Sequence, residues 1–276
     1  MKKLLSLLLL LFITQGISAE QALTFGIVPQ QSASKLARLW TPIFNHINQE
    51  TGLKIRFRTA PDIPTFEKRL AAGEYDLAYM NPYHYTVFHK APGYQALAKA
   101  HDKRIKGIMV VRKESTISDL MALDKNNLAF PAPAAFAASI LIRAHLYGLG
   151  VDYTPKYVSS HDSVYRAVAK GIYPAGGGVI RTFKNVAPEV RAQLRILWTT
   201  KGYTPHAIAM HPRVKAGNGG KVLKALIGME QSEEGKRLLE SIKIKGFESA
   251  TNSDWDDVRS LNIHLLTDPQ ENRKQP

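Results

Sequence analysis

Residues 127–150 read NLAFPAPAAFAASILIRAHLYGLG, and the order of their parts decides the fold class. The apolar run 127–130 has strand composition. Pro131 and Pro133 then interrupt it, and from Ala134 to Gly150 the apolar residues recur at helical spacing. A strand that turns directly into a helix is half of a βαβ unit. Repeated along a chain, it implies an α/β fold with a largely parallel sheet.

The unit does repeat. Upstream, LTFGIV (23–28) reads as a strand followed by an amphipathic stretch with Leu36, Leu39, Trp40, Ile43, Phe44 and Ile47 near helical spacing. Ser32 or Ser34 is its candidate N-cap and Gly52 its stop. Strand 53–59, helix 66–74 and strand 75–80 follow, then strand 107–113. Downstream come strand 156–160, helix 161–171, and strands 175–180, 194–200 and 207–212. Three helices are expected at the end, over 221–229, 233–242 and 255–266, before a polar tail, DPQENRKQP. That is too many strands for one small sheet. Two α/β lobes joined by strands near 107–113 and 194–200 are the economical arrangement. Ligands of such folds bind outside the carboxyl ends of strands, where helices begin. The candidate cleft segments are therefore PQQS (29–32), NPYHY (81–85), PAPAAF (131–136), SSHDS (159–163) and GGGVIRT (176–182).

The N-terminus reads as a targeting segment, residues 1–19. Lys2 and Lys3 precede the apolar run Leu4–Ile13, and a small-residue exit ends at Ala19, where cleavage is expected. The run is shorter than the ~20 residues that span a bilayer. No cysteine occurs, which excludes a lipid anchor, disulfides and thiolate zinc sites. The chain carries a net charge of +14, or +12 without the two leading lysines. Its basic residues are dispersed and lack the interleaved aromatics of a nucleic-acid module. Export also argues against DNA, so no nucleic-acid partner is expected. A small anion or an acidic protein fits better.

Catalytic signatures are missing. His84 and His89 are five apart on a helix, about 140° around its axis, and His206 and His211 are five apart on a strand, on opposite faces. Neither pair grips a metal ion. There is no His-Glu-x-x-His, no Gly-x-Ser-x-Gly elbow and no phosphate loop. Ser160, His161 and Asp162 are adjacent on one strand end, a poor geometry for a triad. The glycines Gly176–Gly178 lack a following helix lysine and suit a close backbone approach or a mobile hinge. The expectation is a binding protein with no enzymatic activity, cofactor or metal.

The order of GIVPQ, a long Trp-bearing helix, TAPDIPTFEKRLAAGEYDLAYMNPYHY, GIMVVRKESTISDL, NLAFPAP, HDSVYRAVAKG, TTKGYTPHAIAMHP and KGFESATNSDWDDVRSL resembles the phosphonate/phosphite/phosphate-type periplasmic binding proteins of ABC importers. The resemblance covers nearly all of the chain after residue 19. It implies a two-lobed, type II-like receptor in the periplasm, each lobe a mostly parallel sheet flanked by helices. The lobes are expected at 20–112 with 200–276, and at 113–199. A membrane ABC permease is the implied partner, and a sensor histidine kinase is the alternative.

The resemblance also implies site residues. Pro133 stands where relatives place a proline before a hydroxyl cluster, but Ala135, Phe136 and Ala137 take the hydroxyl places. Backbone N–H groups and the helix dipole remain to attract an anion. Pro174 stands at a position where relatives keep an acid for an amine-bearing ligand, and Arg181 where some keep another. A small anion without an amine is therefore expected, with any apolar part against Phe136. Tyr85 and His161 match the family's aromatic and histidine positions. Of Tyr83 and Tyr85, one is expected in the core and one on the cleft wall. His161 either caps its helix or meets the ligand, in which case charging it at low pH tightens anion binding. Arg181 is either a surface charge or an anion contact. Gln31 and Ser32 either cap the first helix or line the cleft, and His206 lies where the chain returns to the first lobe.

Overall fold

The computed structural model describes residues 22–266. The expected targeting segment and the polar tail from Asp268 lie outside the described residues. In chain order the strands are β1 Leu23–Ile27, β2 Ile55–Arg58, β3 Leu77–Met80, β4 Gln95–Ala100, β5 Gly107–Arg112, β6 Asn126–Phe130, β7 Tyr153–Tyr157, β8 Ala175–Val179, β9 Leu194–Thr199, β10 Ala207–Met210 and β11 Phe247–Ser249. The helices are α1 Ala33–Thr51, α2 Ile63–Ala71, α3 Pro82–Phe88, α4 Leu141–Gly148, α5 His161–Ala169, α6 Ile180–Asn185, α7 Pro188–Arg191, α8 Ala216–Gly228, α9 Glu233–Ser241 and α10 Asp256–Arg259.

The strands form two sheets, ordered β11-β4-β10-β3-β1-β2 and β7-β6-β8-β5-β9. In the first, β4, β3, β1 and β2 share one direction, and β10 and β11 run against them. In the second, only β5 is reversed. Both sheets are thus mixed, less parallel in their pairings than expected, because the strands flanking the crossings, β5 and β10, run against their neighbours and each sits between two of them. The chain crosses from β4 to β5 and returns from β9 to β10. The two crossing segments pair with each other through Ile105 and Tyr203, which exchange backbone hydrogen bonds of 2.7 and 3.0 Å. A pair of short antiparallel connections is a geometry on which two lobes can hinge.

One boundary differs from expectation. β5 pairs with β8 and β9, so the first crossing ends before Gly107 and not at residue 112. Strand alternation explains why β5 belongs there. Met109 and Val111 enter the core on one face of the second sheet, and Ile108 and Val110 enter that on the other. In the first lobe, α1 buries Leu36, Trp40, Ile43, Phe44 and Ile47 and ends at Gly52, whose φ of 71° is the left-handed conformation that suits glycine. The expected helix over 255–266 is only the short α10, preceded by a 3-10 turn at Asn252–Trp255. Strand β7 lies earlier than the expected 156–160.

The 127–150 stretch folds as strand, turn and helix, with one modification. The helix opens with a π-helical turn, Phe136–Ile140, before α4. Gly107 and Gly177 show why the chain can widen here. A Cβ at either position would overlap the carbonyl oxygen of Ala137 or Ala138, respectively. The expected close approach at the triple glycine is therefore made. A Cβ on Gly178 would likewise meet Tyr165, and one on Gly176 would meet Val164.

Candidate functional site

The alanine-rich turn belongs to the second sheet's chain but packs with the first lobe. Ala132, Ala134–Ala138 and Ile140 join the apolar cluster of the first sheet. Phe136 meets Tyr203 of the return crossing edge to face, with centroids 5.6 Å apart. The lack of polar side chains in this turn thus has a packing cause. Its backbone, however, keeps donors in reserve. Ser139 and Ile140 both donate to the carbonyl of Ala135, at 2.7 and 3.3 Å. Among the described residues, the N–H groups of Phe136, Ala137 and Ala138 have no acceptor.

These residues line a space of about 10 Å³ with Gln30, Asn81, His161, Val179 and His206. That is room for about one water-sized group. The lobes are drawn together around it. His161 donates its backbone N–H to Gln30 O at 3.0 Å, and Asn81 Nδ2 donates to Ala134 O at 3.1 Å. Gln31 Nε2 reaches Asp162 Oδ1 at 3.4 Å, and Lys35 Nζ lies 3.5 Å from Asp162 Oδ2. Arg181 donates to Gln30 Oε1, and Lys35 to Asn185 O.

Two histidines of this site are neutral. Burial, and then the field of Arg181, push His161 down to about 3. Its Nδ1 lies 3.1 Å from Thr182 Oγ1, which in turn contacts Val179 O and the Tyr165 hydroxyl. Burial and Arg181 also hold His206 well below its ordinary value. His206 stacks on Tyr79, centroids 4.8 Å apart and planes 13° from parallel, and its Nε2 is buried without a hydrogen-bond partner. The expectation that a charged His161 tightens anion binding at low pH is therefore corrected. The formal charge beside the inner space belongs to Arg181, which lies over the Tyr79 ring at 5.8 Å.

Phe136, His161 and His206 line the inner space, Arg181 stands on its outer side, and Gln31 is tied to the lobe junction. Ser32 is exposed at the N-cap position of α1, without a side-chain capping bond. The two tyrosines are elsewhere. Both are core residues of the first lobe: the Tyr83 hydroxyl accepts from Leu266 N at 2.9 Å, and that of Tyr85 donates to Asn252 Oδ1 at 3.2 Å. The cleft-wall expectation for one of them is corrected, because α3 turns both rings toward the C-terminal segment. Gln30 and Asn81 lie in the expected cleft segments PQQS and NPYHY without having been singled out, whereas Tyr79 lies outside all of them. Asn81 carried a signal, since Asn before Pro82 is a helix start, and its side chain caps α3 by accepting from His84 N at 2.8 Å.

A second, larger cavity of about 610 Å³ adjoins the first, sharing Ile105, Val179 and His206 with it. It opens between the 101–106 crossing, α6 and the chain around α9. Among the described residues, no three His, Asp or Glu side chains gather to hold a metal ion, and no helix is long and apolar enough to cross a membrane.

Two mixed sheets, paired crossings and a donor-lined space between them define a two-lobed periplasmic binding protein. Residues 25–255 match the family model of the phosphonate ABC transporter periplasmic substrate-binding proteins, and the chain belongs to that family. It is 22% identical over 257 residues to the phosphonates-binding periplasmic protein of Escherichia coli, covering 88% of this chain and 76% of that one. It is 24% identical over 187 residues to a phosphate-import protein of Mycolicibacterium smegmatis, a match that spans 59% of this chain and only 57% of that relative. Among solved structures, a binding component of an ABC phosphonate transporter from Pseudomonas aeruginosa superimposes with a TM-score of 0.81 at 15% identity, covering 88% of this chain and 86% of that one. A Prochlorococcus marinus protein in complex with methylphosphonate gives 0.78 at 17% identity, with 87% and 98% covered. At such identities the structural matches establish the fold.

Proposed function

We propose that this protein captures a small oxyanion of the phosphonate or phosphate kind between its lobes and delivers it to a membrane ABC permease, without chemical change. The lobes of this reading are 22–106 with 200–266, and 107–199. The observation that carries it is the set of unmet donors around the inner space. Three successive backbone N–H groups border it without acceptors, His206 Nε2 is buried there without a partner, and Arg181 stands beside them. Backbone donors at a helix start favour an anion. Unmet buried donors cost roughly 1–3 kcal/mol each, which a ligand's oxygens would recover.

His161, Phe136 and Gln31 complete the enclosure. The inner space is too small for a tetrahedral ion in the conformation described, so entry requires the lobes to part. Family membership supports transport over the sensing alternative.

A thermal-shift screen of the purified protein against small oxyanions, organic acids and amines tests the reading. An oxyanion at ~1,000-fold excess over its Kd should add about 4 kcal/mol of apparent stability. Stabilisation by amines alone would overturn it. Recovery of the bound ligand unchanged would support the absence of turnover, and a steadily accumulating product would refute it.

A further inference from the structure

The outer cavity is built for more charge than a small monoanion carries. Eight Lys or Arg side chains line it, against two carboxylates. Both carboxylates are already engaged: Asp102 lies 3.3 Å from His101 Nδ1, and Glu240 lies 3.5 Å from Lys243 Nζ. Lys103, Lys106, Arg181, Lys184 and Lys245 face the space with no carboxylate partner among the described residues. Cations on a free surface spread apart into solvent. These are instead gathered from three parts of the chain, the first crossing, α6 and the segment after α9. Lys103 is half-buried and held in place by donating to Lys243 O. Burial, then Arg181 and Lys184, pull its ammonium down to about 8, as expected where like charges crowd a site that lacks its counter-charge.

The position matters as much as the charge. The outer cavity meets the inner space at Val179 and His206, with Arg181 at the junction. An oxyanion head on the inner donors would therefore point its remaining substituent into the basic chamber. At about 610 Å³ that chamber has the size of a ligand pocket and is many times larger than one phosphate ion.

We propose that the outer cavity seats a second anionic group of the same ligand, so that this protein prefers a compact polyanion, of the diphosphate or bisphosphonate class, over a simple monoester or inorganic ion. This rests on the oxyanion reading of the inner site. The test is calorimetric titration of the whole processed protein at low salt with orthophosphate, methylphosphonate, pyrophosphate and methylenediphosphonate. Pyrophosphate and methylenediphosphonate should bind at least tenfold tighter than orthophosphate and methylphosphonate. The double variant Lys103→Ala/Lys184→Ala should erase most of that gap and leave orthophosphate binding within about threefold of the parent. Thermal unfolding confirms that the variant is folded, and Lys103→Gln/Lys184→Gln serves if the alanine pair is not. Equal affinity for the one-phosphorus and two-phosphorus ligands, or equal loss of both in the variant, overturns the inference and leaves the oxyanion reading standing. Failure of all four ligands to bind overturns both.

Discussion

His161 of the second lobe donates its backbone N–H to the carbonyl oxygen of Gln30 in the first, at 3.0 Å. The first N–H of α5, a donor that a ligand could have used, is thus spent on joining the lobes. The neighbouring side chains do the same: Asp162 accepts from Gln31 and faces Lys35. The conformation is a closed one, held by polar contacts between lobes around an interior that still contains unmet donors.

Asp162 is therefore expected to bias the protein toward closure. Asp162→Ala removes the acceptor for Gln31 and the partner of Lys35, and should shift the ligand-free protein toward open lobes. Small-angle scattering should report a larger radius of gyration than for the parent, with saturating ligand restoring compaction. An unchanged radius would show that the other interlobe bonds suffice.

Arg181 carries the formal charge beside the inner donors, so Arg181→Ala should weaken oxyanion binding by roughly ten- to a hundredfold, the worth of a charged hydrogen bond of about 1.5–3 kcal/mol. Calorimetry on the folded variant checks it. Binding as tight as the parent's would make Arg181 a lobe tie to Gln30 and nothing more.

The buried histidines set a pH response. His161 is held at about 3 when folded, against about 6.5 when unfolded, so it takes up its proton only on unfolding. Its contribution is complete above about pH 6.5 and is lost as pH falls toward the folded value, at up to ~1.4 kcal/mol per pH unit. His206 acts in the same direction. Urea unfolding at pH 7 and pH 5 should show a loss of stability that is smaller in His161→Asn. An equal loss in both proteins would place His161 in a wetter, chargeable state.

Lys103 responds at the alkaline end. Near pH 8.5 its ammonium, facing Arg181, Lys184 and Asp102 and bonded to Lys243 O, is partly deprotonated. A polyanion in the outer cavity would restore the charge, so binding should take up a fraction of a proton there and almost none through Lys103 at pH 6.5. Calorimetry in buffers of different ionisation enthalpy reads this directly. No buffer dependence at pH 8.5 would separate Lys103 from the ligand.

Glycines make a contrasting pair. Gly177→Ala pushes a methyl group against the Ala138 carbonyl and should destabilise by about 1–3 kcal/mol or more while disturbing the donor turn. Gly220→Ala, in exposed α8 with nothing nearby, should stabilise by roughly 0.5–1 kcal/mol. Thermal unfolding of both compares them.

Much of this architecture was legible because local signals and tertiary needs agree. The period of α1, its stop at Gly52 and the strand-turn-helix order at 127–150 each reflect burial that neighbouring residues enforce. The tyrosines of NPYHY were not legible. Their hydroxyls bond Leu266 and Asn252, partners far away in sequence that no spacing rule reveals. Tyr79 was missed for another reason: β3 is buried on both faces, so its sequence LAYM shows no alternation from which a cleft-facing ring could be picked. The π-helical turn packs its carbonyls against glycines in other strands, Gly107 and Gly177, whose role appears only once β5 and β8 lie side by side.

The most direct test of the central claim is a crystal structure of the protein with a saturating oxyanion selected by the thermal-shift screen. The anion is expected between the lobes, its oxygens within hydrogen-bonding distance of the N–H groups of Phe136, Ala137 and Ala138, with Arg181 alongside. An anion bound elsewhere, with those three N–H groups still lacking an acceptor, would contradict it.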